Sequence, residues 1–566
     1  MGRQWGPSMR AAEQAGCVVS ASRAEQPEAG LWSCSGVILS RSPVLVLCHG
    51  GIFTPFLRGG SGALTAAGAT FLPGDSCGDD LRLHVQWGPT AASLAGRAEQ
   101  GPPGLCTPRC AVLEPCPAAQ PRGRLLQPPR AAELLLLLSC PAFRAHFARL
   151  FGSDAAEQWR FASAAPDEEV SGDEEEDQLR ALGWFALLRV RPGGEAEAEA
   201  ARGPAVTVAP LGAVAKGAPL LACGSPFGAF CPDIFLNTLS RGVLSNAAGP
   251  LLLTDARCLP GTEGGGVFAA RPAGALVALV AAPLCWKARE WVGLTLLCAA
   301  APLLRAARAA LAHLPDVAAL AALLPPEVGA PRGLPLRGHG PPWAAAAVLV
   351  EFGSVWGSGV AMAPRLVVTC RHVAPREAAK VLVHSDNPKS VAIWGRVVFA
   401  TQETSPYDIA VVSLEEDLDG VPTPKPAEHF FEGAAVSVVG FGVFGQACGP
   451  SVTSGILSAV VQVDNTPVML QTTCAVHGGS SGGPLFSTHS GDLLGIVASN
   501  TRDNNTGATY PHLNFSIPIT VLQPALQRYC QTGDLGGLRE LDRAPEPVRV
   551  VWRLQRPFPT VPRSKL

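Results

Sequence analysis

What the chain lacks narrows its class first. Only 16% of its 566 residues are charged and the formal net charge is −2. No basic stripe exists to hold a phosphate backbone, which argues against nucleic acid as a partner. No run reaches the roughly 20 apolar residues that cross a bilayer. Leu294 to Leu314 comes nearest, but Arg305 and Arg308 interrupt it, so no membrane insertion is expected. The start, Met1-Gly2-Arg3-Gln4-Trp5-Gly6-Pro7, lacks the apolar core of a secretion signal. Gly2 is not followed by Ser or Thr at position 6, so the myristoylation pattern fails too. The 17 cysteines are odd in number and scattered through apolar runs, which speaks for reduced thiols and against a secreted disulfide framework. Cys106, Cys110 and Cys116 have neither the His nor the second Cys pair of a zinc site. Neither a metal nor a cofactor is expected.

What is present is turn-forming. With 52 Pro and 61 Gly, the chain reads as strands, turns and extended linkers, and its length calls for two or more domains. Its centre is Gly478-Gly479-Ser480-Ser481-Gly482-Gly483-Pro484-Leu485. Glycine weakens any strand or helix it occupies, but it lets the backbone turn sharply. It thus presents a hydroxyl beside bare N–H groups able to hold a developing oxyanion. A serine hydroxyl is a poor nucleophile at neutral pH and needs a base, itself oriented by an acid.

Two upstream stretches supply them. Gly357-Ser358-Gly359 runs through a turn at Pro364-Arg365 and a second strand to His372. Ser405-Pro406-Tyr407-Asp408 opens the apolar run Ile409 to Leu414. Alone, such a His is usually structural and such an Asp a turn residue. The order His372, Asp408, Ser481 is what carries weight. These segments resemble the trypsin-like serine protease family, in particular its HtrA/DegP-like branch. Val452 to Ser458 and Gly495 to Ser499 resemble the branch's strands before and after the nucleophile loop. The resemblance runs from about Ala344 to Tyr529 and implies a double β-barrel. It also implies that Ser481 attacks, His372 moves the proton, Asp408 orients His372, and the Gly479 and Ser481 amides hold the oxyanion. In this family the residue six before the nucleophile floors the specificity pocket. Here that is Ala475, with no acid between Cys474 and Gly483. A basic side chain would be buried there without a counter-charge, so a small or modestly apolar residue is expected before the cut. His477 is expected on the surface of its loop.

The first half repeats the pattern. Cys34 to Leu39 leads through Val44 to Cys48 to His49, with Ser35 and His49 separated as Ser358 and His372 are. Trp184 to Val190 lines up with Asp408 to Leu414, Leu239 to Ser245 with Val452 to Ser458, and Gly261 to Phe268 with Gly479 to Phe486. On that alignment His49 remains, while Trp184 and Glu263 replace the acid and the nucleophile. The expected fold is therefore mainly β: two trypsin-like double β-barrel units in tandem, the first degenerate, each closed by a C-terminal helix. Residues 1–325 form the degenerate pseudo-protease unit, with a Pro/Gly/Cys-rich insert at 96–130 and an acidic, solvated insert at 165–178. Leu134 to Leu138, continuing through Phe143 and Leu150, predicts a short helix between them. A Pro/Gly linker spans 326–342, the active unit 343–532, and a tail 533–566. Leu303 to Leu324 and Ile519 to Tyr529 are the closing helices.

The tail ends in Ser564-Lys565-Leu566, an address for the peroxisomal matrix read by an import receptor. With that address, the resemblance implies a serine endopeptidase that removes leader peptides from imported matrix proteins and processes others, enzymes of lipid oxidation among them. Pairs of trypsin-like barrels often assemble, so a homo-oligomer is expected on the resemblance and not from the residues. The resemblance also implies self-cleavage, for which the exposed insert offers Cys110-Ala111. The alternative is a non-catalytic holdase or interaction scaffold built on the same folds. The PDZ module common after HtrA-like proteases is not expected.

Overall fold

Short apolar runs broken by turns form closed antiparallel barrels, as in Ile393–Ala400, where every second residue is buried. The computed structural model describes residues 2–24, 31–65, 69–88, 128–151, 159–161, 179–192, 205–283, 286–287, 290–328, 340–386, 392–502 and 509–553. Cys110, Ala111, Ser564, Lys565, Leu566 and the acidic stretch 165–178 lie outside the described residues.

The chain divides into two compact units. The first holds Met1–Ala288 and Leu294–Gly338; the second holds Arg289–Gly293 and His339–Leu566. In the second unit, one closed barrel is built from Ala347–Phe352, Val355–Ala363, Leu366–Thr369, Lys380–Ser385, Ile393–Ala400 and Ala410–Leu414. The other is built from Ala435–Gly440, Ser451–Val463, Thr466–Thr472, Pro484–Ser487, Leu493–Arg502 and Thr509–Pro518. Around each ring the strands follow the order first, second, third, sixth, fifth, fourth. The first unit contains two further rings with this same order, one from Gly16–Arg23 to Trp184–Val190 and one from Pro219–Gly224 to Thr295–Ala299. A barrel leaves no open sheet edge, so every ladder hydrogen bond is made internally.

Each barrel of the second unit has its own apolar filling, Val348, Val350, Val367 and Val412 in one, Val436, Leu457, Leu470 and Val497 in the other. A third cluster joins the barrels to the closing helix through Phe399, Ile409, Phe441, Phe486 and Leu522. That helix spans Ile519–Thr532 and stops at Gly533, whose φ of 70° is the left-handed cap that glycine tolerates best. In the first unit the closing helix is Ala300–Ala312, followed by a 3-10 turn at Ala318–Leu323.

Several boundaries differ from those expected of the sequence. Leu134 to Leu138 is not a helix: the five leucines lie in the strand Arg130–Ser139, and the helix begins only at Pro141. An unbroken apolar run has no period to distinguish the two, and here the barrel wall buries it. The insert expected to end at 130 therefore gives up its last residue to that strand. The linker expected at 326–342 is shorter, because Val328 N–H donates to Val208 O and Arg305 pairs with Glu327 at one end, while Pro342–Ala346 forms a 3-10 turn at the other. The tail expected from 533 is also folded up to Trp552. Leu538, Leu541 and Val548 are buried against the second unit's core, and the Trp552 indole N–H donates to Val468 O at 3.0 Å.

Trp184 is fully buried in the first unit and its indole N–H donates to Leu64 O at 3.1 Å. Trp184→Ala should destabilise that unit by about 3–5 kcal/mol. Urea denaturation read by tryptophan fluorescence checks this, and an unchanged midpoint would mean that the indole is not holding the barrel together.

Candidate active site

The strand Leu366–Thr369 ends one residue before a tight helical turn in which Val373 and Ala374 N–H both donate to Cys370 O. The turn lifts His372 clear of the barrel. Asp408 sits just before the strand Ala410–Leu414, in a loop pinned by paired bonds between Thr401 and Ile409. The two side chains meet: the Asp408 carboxylate bonds His372 Nδ1, and its other oxygen accepts the His372 backbone N–H at 3.1 Å. Nδ1 is thereby committed, which leaves Nε2 as the ring nitrogen able to accept a proton. Burial pushes the Asp408 carboxyl up, but the His372 hydrogen bonds and charge, with Arg371 Nε 3.8 Å away, outweigh it. The group rests below the ordinary carboxylate range and is ionised at neutral pH.

Cys370, His372 and Asp408 have ligand-type atoms within 4.8 Å of one another. Burial holds the Cys370 thiol well above its ordinary value, and the imidazole and carboxylate already satisfy each other. The cluster reads as a carboxylate–imidazole pair and not as a set of metal ligands.

The loop of Ser481 is fixed almost entirely through its backbone. Ser480 N–H donates to His477 O, Gly483 N–H to Ser480 O and Gly482 N–H to Val497 O. Gly479 and Gly482 have φ of 87° and 84°. A Cβ on Gly479 would fall 2.2 Å from the Trp356 ring, and one on Gly482 2.1 Å from Ser358 O. Only glycine fits either place. The key fastener is Ser358, fully buried. Its N–H donates to Ser481 O at 2.9 Å, its hydroxyl donates to Gly479 O at 2.8 Å, and that hydroxyl accepts Phe441 N–H at 2.8 Å. The sequence reading took Gly357-Ser358-Gly359 as a strand and missed this part; a hydroxyl between two glycines at a barrel wall was the available signal. No hydrogen bond links Ser481 Oγ to His372, and such bonds commonly tighten only in the substrate complex.

Ala475 is buried, and its carbonyl accepts the Thr453 hydroxyl at 2.9 Å. His477, expected on the surface, is buried instead, and its Nδ1 accepts Val443 N–H at 3.2 Å. Gly442 makes this possible, since any Cβ there would overlap the imidazole.

The first unit keeps the framework. Ser35 N–H donates to Glu263 O, and the Ser35 hydroxyl bonds Gly261 O and Ser225 N–H, matching Ser358 with Ser481, Gly479 and Phe441. Register then corrects one assignment. Gly36 faces Cys48 as Gly359 faces Thr369, so His49 corresponds to Cys370 and not to His372. The hairpin before His49 is two residues longer, and this alone produced the equal spacing from the serine. Trp184 does correspond to Asp408, since His49 faces Phe185 in the next strand. The positions matching His372, Asp408 and Ser481 are thus Gly51, Trp184 and Glu263. His49 is buried, which pulls its pKa down to about 4 and keeps it neutral. Burial also raises the Glu263 carboxyl, opposed by hydrogen bonds from the N–H groups of Glu263 and Gly261.

Residues 357–496 match the trypsin-like peptidase domain. The chain is 83% identical to the mouse peroxisomal leader peptide-processing protease, and equally to the human one, over 100% of this chain and of each relative. Over 121 residues, 20% of this chain and 23% of the relative, it is 36% identical to a probable periplasmic DegP-like serine endoprotease of Halomonas elongata. With a trypsin-like domain in its second half and full-length identity of this degree, the chain belongs to the family of peroxisomal leader peptide-processing proteases.

Proposed function

We propose that the second unit hydrolyses peptide bonds through an acyl-enzyme formed on Ser481. The Ser481 hydroxyl attacks the scissile carbonyl while His372 Nε2 takes its proton, and Asp408 holds the imidazole and balances the charge it gains. The carbonyl electrons move onto oxygen, which the Gly479 and Ser481 N–H groups receive. Collapse of this intermediate expels the amine, protonated by His372. Water then repeats the sequence on the ester and frees Ser481. The observation that carries the reading is the doubly bonded His372–Asp408 pair, with the Ser481 loop clamped by Ser358.

The full-length relatives are named peroxisomal leader peptide-processing proteases. The chain acts in the peroxisome on such leaders. An uncharged pocket floor at Ala475 suits a small or weakly polar residue, cysteine included, before the cut. The same preference marks Cys110-Ala111 as the bond the enzyme cuts in itself. The C-terminal tripeptide Ser564-Lys565-Leu566 is, on its own chemistry, the signal an import receptor grips. The first unit, lacking a base, an acid and a nucleophile at the matching positions, serves as a non-cleaving scaffold, and the whole assembles as a homo-oligomer. A purely non-catalytic holdase is not favoured, since the full-length relatives are named proteases.

Ser481→Ala should abolish labelling by a fluorophosphonate probe and all leader removal; a labelled variant would place the nucleophile elsewhere. Asp408→Asn should preserve the fold by circular dichroism yet lower kcat about ten-thousand-fold through the wrong imidazole tautomer, and near-normal turnover would mean that another group orients His372. N-terminal sequencing of the self-processed fragment should begin at Ala111, with no fragment from Ser481→Ala.

A further inference from the structure

The second unit includes five residues, Arg289–Gly293, whose neighbours on both sides in the chain belong to the first. Their described members meet the catalytic unit close to its reacting groups. Glu290 Oε1 accepts the N–H of Gly478 at 3.1 Å and the side-chain amide of Asn500 at 3.3 Å. Gly478 immediately precedes Gly479, one of the two proposed oxyanion donors. Asn500 lies on Leu493–Arg502, the strand whose Val497 carbonyl holds Gly482 N–H on the far side of Ser481. One carboxylate thus ties the entry of the nucleophile loop to the strand that holds its exit. The adjoining residues fix that carboxylate in place. The Trp291 ring meets His512 edge-on at 5.3 Å, and Val292 is fully buried. Gly293 adopts φ of 73° where a Cβ would fall 2.9 Å from Pro511 and 3.1 Å from the Cβ of Ala475, the proposed pocket floor.

We propose that Glu290 is a positioning residue for the oxyanion hole, supplied to the catalytic unit by a stretch of chain that precedes it in sequence. Gly478 and Gly479 are consecutive glycines, and without a tether such a pair visits many conformations. Only those that aim the Gly479 N–H at the reacting carbonyl support turnover. A charge-assisted bond to Gly478 N–H, stronger than a neutral one, holds the peptide immediately before the donor. The matching residue of the first unit, Pro260, has no N–H to tether. The effect of Glu290 should therefore appear in the transition state, where charge develops on oxygen, more than in substrate binding.

The inference rests on Ser481 being the nucleophile, so Ser481→Ala is run beside the Glu290 variants on the full-length chain. With a leader-peptide substrate, Glu290→Ala should lower kcat about ten- to a hundred-fold, below the full loss of an oxyanion donor, with KM within about two-fold. Affinity for a peptide boronate, which forms a tetrahedral adduct, should fall in step with kcat/KM. Glu290→Gln keeps an acceptor oxygen for Gly478 and should recover most of the loss, with an unfolding temperature unchanged from the parent. Wild-type kcat and boronate affinity in Glu290→Ala overturn the proposal. So does a loss that Glu290→Gln fails to rescue, or one that appears in KM alone. Turnover surviving in Ser481→Ala overturns the nucleophile assignment itself; an inactive Ser481→Ala beside a fully active Glu290→Ala removes only the tether.

Discussion

A buried serine hydroxyl fastens the Ser481 loop to the barrel wall. Ser358 bonds both ends of the tripeptide Gly479-Ser480-Ser481, through its hydroxyl and its N–H, and accepts Phe441 N–H from the neighbouring barrel. In the loop so held, Gly479 and Gly482 adopt left-handed φ of 87° and 84°, a conformation that glycine takes without strain. The first unit retains the same fastening through Ser35, Gly261 and Glu263. The clamp therefore belongs to the fold, and the chemistry is an addition to it.

The first unit keeps the framework and differs in its side chains. A glycine, a buried indole and a carboxylate stand at the positions matching His372, Asp408 and Ser481. Burial raises the Glu263 carboxyl, and the N–H groups of Glu263 and Gly261 oppose that rise. The Trp184 indole stands at the position matching Asp408 and its N–H donates to Leu64 O, so the barrel stays packed there without a buried charge.

The His372–Asp408 pair, the tandem repeat and the strand pattern were legible because residue order, turn glycines and strand alternation are local properties. What escaped depends on distance in space. The equal separation of Ser35 from His49 and of Ser358 from His372 concealed a hairpin two residues longer, which only the register reveals. The leucine run 134–138 gives no period by which to separate a buried strand from a helix. Helices beyond 533 escaped because their apolar residues are sparse, and their burial depends on partners such as Val468 and Tyr407. His477 looked exposed because nothing local shows that Gly442 vacates room for its ring. Glu290 is the extreme case: no spacing rule links a residue at 290 to a loop at 478.

The division of the chain into units has a practical corollary. Because Arg289–Gly293 is counted with the second unit while Leu294–Gly338 returns to the first, neither can be excised as one uninterrupted fragment. A recombinant piece beginning at the linker would carry both barrels and the His372–Asp408 pair, yet it would lack Glu290 and its bonds to Gly478 and Asn500.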